Sequence, residues 1–388
     1  MLNFDYCNPV KIVFGEGTIS ELANLLPANE KIMMLYGGGS IKRNGVYDQI
    51  KEALKDRNLV EFSGIEPNPL FETCMKAVEI IKSEGVTFLL AVGGGSVIDA
   101  TKFIALAAKY QGEDMWEIVS NNEMGDALED ALPLGTVLTL PATGSEMNYN
   151  AVISRAETDE KLAMHNPIVY PKFSILDPST TFTLPERQSA NGVVDAFVHV
   201  MEQYMTFNVN SPLQDRQSEA ILATLMEEGP KVMKDPENYE TRANIMWCAT
   251  HALNGMIACG LPQDWGTHMI GHEITAFYGL DHAQSLAIVL PSLWRNKKEQ
   301  KKEKLLQFGR RLLGISIENE DAAIDETINK TAAFFNSLGV PTSLSDYNID
   351  AKEAAEKVRD RFNARGVAFG EHADITGDAA FEILLGCK

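Results

Sequence analysis

The sequence contains no C-x-x-C pair. Its five cysteines, Cys7, Cys74, Cys248, Cys259 and Cys387, are odd in number and widely dispersed. That spacing argues against both a disulfide framework and a thiolate zinc site, and it points to reduced thiols in the cytoplasm. No uninterrupted apolar run is long enough to span a bilayer. The opening MLNFDYCNPVKIVFGEG lacks the basic stretch and apolar core of a secretory signal. Cations are in deficit, with 34 Lys+Arg against 54 Asp+Glu and a formal net charge of -20. Nucleic acid and anionic membranes are thereby excluded as main partners, since both require a basic footprint. An anionic cofactor would have to be held by local backbone dipoles and a few placed cations. The metalloprotease pattern H-E-x-x-H and the dinucleotide fingerprint G-x-G-x-x-G are both missing.

What is present is enough apolar material for a sizeable core, 45% of 388 residues, in a chain whose length favours two domains. The first half alternates strand-like runs with helical spacing. KIMMLYG (31–37), VTFLLAVGGGS (86–96) and PLGTVLTLPATGS (133–145) read as buried strands, the last two running into loops. Residues 43–57 and 97–110 read as helices. This alternation predicts a parallel sheet with helices on both faces. FSILDPSTTFTLPERQSANG (173–192) holds the last convincing strand. Beyond it the chain reads as successive helices at 187–205, 212–228, 240–258, 264–277, 300–313, 320–337 and 350–363. The expectation is an α/β domain over residues 1–185 and an all-α domain over 186–388. The charged run RNKKEQKKEKLLQ (295–307) reads as a solvated helix face.

Two glycine turns stand at strand ends. AVGGGSVIDA places Gly93, Gly94, Gly95 and Ser96 between a strand and a helix. There the backbone can approach a ligand closely and the helix start offers N–H groups to a pyrophosphate. A tight turn without a ligand would look the same. In YGGGSIKRNG, small residues Gly37 to Ser40 occupy the region where many nicotinamide enzymes carry an acid for the ribose 2′-hydroxyl. With Lys42 and Arg43 following, this turn suits a 2′-phosphate, which favours NADP over NAD. LTLPATGSEMN adds the hydroxyls of Thr139, Thr143 and Ser145 at a third strand end, with Lys161 downstream.

Histidine is scarce, at seven residues, yet four fall in two tight groups. Asp195 and His199 are four apart and share one helix face. His268 and His272 are also four apart, with His282 ten residues further on at a helix–loop edge. Two facing helices could bring a carboxylate and several imidazoles to one point. Such a set would hold a divalent ion that stays Lewis-acidic toward an alcohol or carbonyl oxygen. Asp195, His199, His268 and His282 already fill four positions, leaving His272 to stand beside the substrate as a proton relay or positioning group. Glu202, a turn after His199, could support a ligand imidazole or simply face solvent. His251 reads as a core histidine. His165 and His372 have no assigned role.

These residues carry a resemblance. The chain resembles the iron-activated (group III) alcohol dehydrogenases, most closely their butanol-dehydrogenase-like, NADPH-using branch. The likeness runs nearly end to end, through FDY…P-x-K-x-x-F-G-x-G, YGGGSIKRNG, EPNP (66–69), AVGGGSVIDA, LPATGSEMN, FSILDP and the two histidine segments. It implies a dehydroquinate synthase-like architecture, an N-terminal dinucleotide-binding domain followed by a helical domain, with the site in the cleft between them. It implies metal ligands at Asp195, His199, His268 and His282, with Fe2+ or Zn2+ as the ion. It implies cofactor contacts at Gly38, Ser40, Asn68, Gly94, Gly95, Ser96, Asp99, Thr139, Thr143, Ser145 and Lys161. A homodimer acting on a small aldehyde or primary alcohol, such as butanal or butanol, is the implied working form. Relatives that use NAD carry aspartate where this chain has Gly37, in agreement with the charge argument. The rival readings are a glycerol dehydrogenase-like or dehydroquinate synthase-like enzyme on the same fold, a metal-dependent hydrolase, and a non-catalytic metal-binding protein.

Overall fold

The computed structural model describes residues 1–388. Its eight strands are β1 (Lys11–Phe14), β2 (Lys31–Tyr36), β3 (Asn58–Ser63), β4 (Phe88–Gly94), β5 (Leu134–Leu140), β6 (Asn150–Arg155), β7 (Glu160–His165) and β8 (Phe173–Leu176). Helices of eight residues or more are α1 (Val46–Ala53), α2 (Phe71–Glu84), α3 (Gly95–Ala107), α4 (Glu186–Tyr204), α5 (Pro212–Lys234), α6 (Tyr239–Ala252), α7 (Gly266–Tyr278), α8 (His282–Asn296), α9 (Lys298–Arg311), α10 (Glu320–Ser337), α11 (Ala351–Arg365) and α12 (Gly377–Leu385). None of them is long and apolar enough to cross a membrane. The chain forms two compact units. One comprises Cys7–Pro185 with Asp235–Thr250; the other comprises Met1–Tyr6, Glu186–Lys234 and His251–Lys388. The first six residues therefore belong with the helical unit, and most of α6 belongs with the sheet unit.

In the sheet unit six strands lie in the order β1-β8-β5-β4-β2-β3, and all of their pairings are parallel. The central strands are buried along nearly their whole length because both faces are covered. Met33 and Leu35 of β2 enter one core with α2 and α3, whereas Ile32 and Met34 enter the opposite core with α1. The edge strands β1 and β3 are only partly buried, and their sequences carry charge at positions such as Lys11 and Glu61. The chain runs outward from β2 to β3 and then returns to place β4 on the other side of β2. This reversal is a topological switch point, where open α/β sheets bind ligands beyond the strand carboxyl ends. Tyr36 pairs with Val92 across it, so the turns Gly37–Ser40 and Gly93–Ser96 are neighbours. The expected helix at 43–57 is interrupted at Gly45, whose φ of 79° separates a short turn from α1. The antiparallel hairpin β6–β7 and the edge strands β1 and β3 escaped the sequence reading.

The helical unit is organised around α4. Nearly every residue from Ser189 to Tyr204 is buried, which marks a helix covered on all sides. Helix α8 begins at a capping box in which Asp281 and Gln284 satisfy each other's backbone N–H groups. Asp281 also accepts a hydrogen bond from Asn191 Nδ2 at 2.8 Å, which ties the start of α8 to α4. The expected helix at 240–258 ends at Ala252, and the sequence reading did not name α8 or α12.

Candidate metal centre and cofactor turns

Helix α4 presents Asp195 and His199 on one face, α7 presents His268 within its first turn, and His282 is the first residue of α8. One ligand atom from each of these four residues lies within 4.8 Å of all the others. Asp195, His199 and His268 are 3–4% exposed, while the His282 side chain is 22% exposed, so the cluster is open on the His282 side. Asp195 Oδ1 is 3.7 Å from both His199 Nδ1 and His282 Nε2. That is too far for a hydrogen bond. It is close to the ~3.4 Å expected between two ligands each ~2.1 Å from a tetrahedral ion. His199 Nδ1 is buried and accepts or donates no hydrogen bond. Burial pushes the His199 pKa down to about 4, so the imidazole is neutral at neutral pH and one ring nitrogen has a lone pair available. Three imidazoles and one carboxylate, packed at this spacing, fit a divalent ion such as Fe2+ or Zn2+.

Glu202 faces inward. Its Oε1 lies 3.0 Å from His268 Nδ1 and accepts the His268 backbone N–H at 2.9 Å. With Nδ1 committed to a carboxylate, the other ring nitrogen is the one aimed at the cluster. Burial, reinforced by the neighbouring Asp264 carboxylate, holds the Glu202 carboxyl well above its ordinary range. A cation in the centre would favour its ionised form. His272 is also buried, with its ring 5.2 Å from that of His282 and 6.2 Å from that of His268. It borders the centre without belonging to the four-residue cluster. His251 is half-buried beside Asn254, and His372 stacks on Phe207.

The other candidate residues lie in the sheet unit. Gly38 and Ser40 follow β2, and Gly94, Gly95 and Ser96 form the junction of β4 with α3. No side chain caps the α3 N-terminus, which leaves its N–H groups and positive dipole end for an anion. A Cβ on Gly95 would lie 2.5 Å from Thr143 Oγ1, so glycine there is needed for the β5 loop to approach. Thr139 closes β5. Asn68, at φ 57°, accepts a hydrogen bond at 2.8 Å from Lys161 Nζ on β7. Asp99 and Ser145 are brought together. Asp99 Oδ1 accepts the Ser145 hydroxyl at 2.6 Å, and its Oδ2 accepts the Val152 N–H at 2.9 Å.

The group beneath them belongs to no motif of the sequence. Lys102, fully buried on α3, donates to Ser145 Oγ at 2.7 Å, Asn148 Oδ1 at 3.0 Å and the Asn150 carbonyl at 2.7 Å. Burial lowers its pKa to about 8 and raises that of Asp99. A lone lysine in the apolar run VIDATKFIALAA, one turn after an aspartate, was the available signal.

A switch point in a parallel sheet and a buried carboxylate–imidazole cluster in a helical unit fit a nucleotide-dependent metalloenzyme. The family model for iron-containing alcohol dehydrogenase matches residues 9–178, and that for the Fe-containing alcohol dehydrogenase family, C-terminal, matches residues 189–384. The chain belongs to this family and is an alcohol oxidoreductase. It is 52% identical over 384 residues to the NADPH-dependent aldehyde reductase YqhD of Escherichia coli, covering 99% of both chains. It is 44% identical over 390 residues to a probable NADH-dependent butanol dehydrogenase of Bacillus subtilis, again covering 99% of both. Among solved structures, the substrate- and cofactor-free E. coli aldehyde reductase superposes with a TM-score of 0.92 at 50% identity, each chain covered completely. Butanol dehydrogenase A of Thermotoga maritima gives 0.93 at 38% identity, with 100% of this chain and 99% of the other covered.

Proposed function

We propose that the protein is an NADPH-dependent aldehyde reductase, reversibly an alcohol dehydrogenase, for small aldehydes such as butanal. The observation that carries this reading is the buried cluster of Asp195, His199, His268 and His282 in a member of this family. These four residues would hold one Fe2+ or Zn2+, with Glu202 orienting His268. A divalent ion held there supplies Lewis acidity toward a carbonyl oxygen, and the dinucleotide supplies the hydride. His272 would hold or pass the proton that the product oxygen gains, a role supported by its burial beside His268 and His282.

Gly38, Ser40, Asn68, Gly94, Gly95, Ser96, Asp99, Thr139, Thr143, Ser145 and Lys161 would form the dinucleotide cradle. The small turn at Gly37–Ser40 supports NADPH over NADH. A neutral turn near Lys42 leaves room for a 2′-phosphate, which a carboxylate would repel. Dispersed free cysteines support a cytoplasmic location. Exposed Met1, Leu2 and Phe4 support a homodimer covering this apolar segment.

The test is a panel of aldehydes with NADPH and NADH, run on protein reconstituted separately with Fe2+ and Zn2+. Oxidation of NADPH by butanal in metal-loaded protein is expected. His268→Ala should lose both metal and turnover, and a His268→Ala protein with full activity and no metal would sink the reading. A protein that prefers NADH would overturn the assignment of the Gly37–Ser40 turn.

A further inference from the structure

Trp265 is the one large side chain with a left-handed backbone, at φ 60° and ψ 4°. The other non-glycine residues with positive φ are asparagine, aspartate and one alanine. A bulky residue in this region is a steric outlier, and it persists only where its surroundings over-determine it. Here they do. Asp264 donates its backbone N–H to the Glu202 carbonyl at 2.9 Å, and its Oδ1 accepts the Gly266 N–H at 2.9 Å. Its Oδ2 accepts from Lys301 Nζ at 2.8 Å, and the same ammonium reaches the Met205 carbonyl at 2.8 Å and Glu371 Oε1 at 3.0 Å. Lys301, Asp264 and Glu371 are all buried. On the other side the Trp265 carbonyl already accepts the Met269 N–H at the start of α7. The turn has no freedom to relax.

The result is an aimed indole. Its ring lies 5.1 Å from that of His268, edge-on at 73°, and 6.3 Å from that of His199. Its Nε1 donates to the exposed Gln263 Oε1 at 2.8 Å. The residue is half-buried. Two of the four candidate ligands thus share one aromatic neighbour, held there at the cost of backbone strain.

We propose that Trp265 is a specificity-determining residue. Its indole forms an apolar wall beside the metal centre that admits unbranched aldehyde chains and crowds those branched at the carbon next to the carbonyl. This inference rests on the aldehyde-reducing function proposed for the centre.

Trp265→Ala, Trp265→Gly and Trp265→Phe, each loaded with metal, test it against butanal and 2,2-dimethylpropanal. Glycine suits the left-handed backbone, so Trp265→Gly removes the ring while keeping the turn. In the Ala and Gly variants the preference for butanal, as a ratio of kcat/KM values, is expected to fall about 10-fold, chiefly through KM. Metal content should stay at one ion per chain, and Trp265→Phe should stay near wild type. An unchanged ratio in both small variants overturns the inference. So does loss of the metal from all three, which would make the indole a scaffold for the ligands. A second readout needs no turnover: Co2+ added to metal-free protein should quench indole emission, and Trp265→Phe should remove most of that quenching. Equal quenching in Trp265→Phe places the indole elsewhere and also overturns the inference. Wild-type protein inactive with every aldehyde and both nucleotides defeats the proposed function instead, while the quenching still reports where Trp265 lies.

Discussion

Glu202 holds His268 at two points, with one carboxylate oxygen 2.9 Å from its backbone nitrogen and 3.0 Å from Nδ1. The first contact fixes where helix α7 begins and the second fixes which way the imidazole turns. Backbone placement and ligand orientation therefore depend on a single side chain. Carboxylates in this position typically account for 10- to 100-fold in metal affinity. Glu202→Ala should weaken metal binding ~100-fold and Glu202→Gln ~10-fold, since the amide oxygen can still accept one N–H. Competition against a chromophoric chelator measures this directly. Wild-type affinity in Glu202→Ala would remove Glu202 from the metal site.

The burial of His199 makes a prediction for the metal-free protein. Its pKa falls from 6.5 in the unfolded chain to about 4 in the folded one. Between those values the unfolded chain binds a proton that the folded chain refuses. Stability is therefore unaffected by this group above pH 6.5 and is lost as pH falls from 6.5 toward 4. The full effect is about 3 kcal/mol. Urea unfolding of metal-free protein from pH 8 to pH 4 should show this loss, and His199→Gln should flatten it. Equal pH dependence in both proteins would contradict the assignment.

The buried network under the candidate cofactor turns should respond to the loss of its acid. Lys102 has no solvent and depends on Ser145, Asn148 and the Asn150 carbonyl, with the Asp99 charge nearby. Asp99→Ala removes that charge and also leaves the Val152 N–H and the Ser145 hydroxyl without their acceptor. Removing one member of a buried ionic set costs about 3–5 kcal/mol. A fall of that size in unfolding free energy is expected for Asp99→Ala, with a smaller one for Asp99→Asn. A variant as stable as wild type would contradict the structural role assigned to Asp99.

Local signals account for what was legible in the sequence. The buried strands β2 and β4 announce themselves as apolar runs ending in glycine and β5 as one running into a loop, and the histidine pairs stand out because histidine is rare in this chain. Glu202 was visible only as a residue one turn from His199, since its inward orientation depends on α4 being buried on every side. The edge strands β1 and β3 are short, partly exposed and flanked by charge, so no periodicity distinguished them from loops. The transfer of residues 235–250 to the sheet unit depends on long-range contacts, such as Thr250 Oγ1 donating to Glu146 Oε1 at 2.6 Å, which no spacing encodes. The left-handed turn at Trp265 was equally hidden, because nothing about tryptophan favours that conformation.

Gly37 offers the sharpest test of nucleotide choice. It follows β2 at the switch point, and Lys42 Nζ stands nearby, 5.3 Å from the Tyr36 ring and 4.8 Å from the Tyr47 ring. An aspartate at 37 would set a carboxylate against a 2′-phosphate, and such like-charge contacts cost several kcal/mol. It would also carry a Cβ 3.1 Å from the Ile65 carbonyl oxygen, so the turn would have to yield by a few tenths of an ångström. Gly37→Ala shares that Cβ but not the charge, and it separates the two effects. The expected outcome for Gly37→Asp is a fall of ~100-fold in kcat/KM for NADPH, equivalent to ~2.7 kcal/mol, with NADH much less affected. Gly37→Ala should lose far less and should lose it equally for both nucleotides. If Ala and Asp fall together, the turn is merely crowded. If neither falls, the 2′-phosphate is bound elsewhere and Lys42 has no part in its recognition.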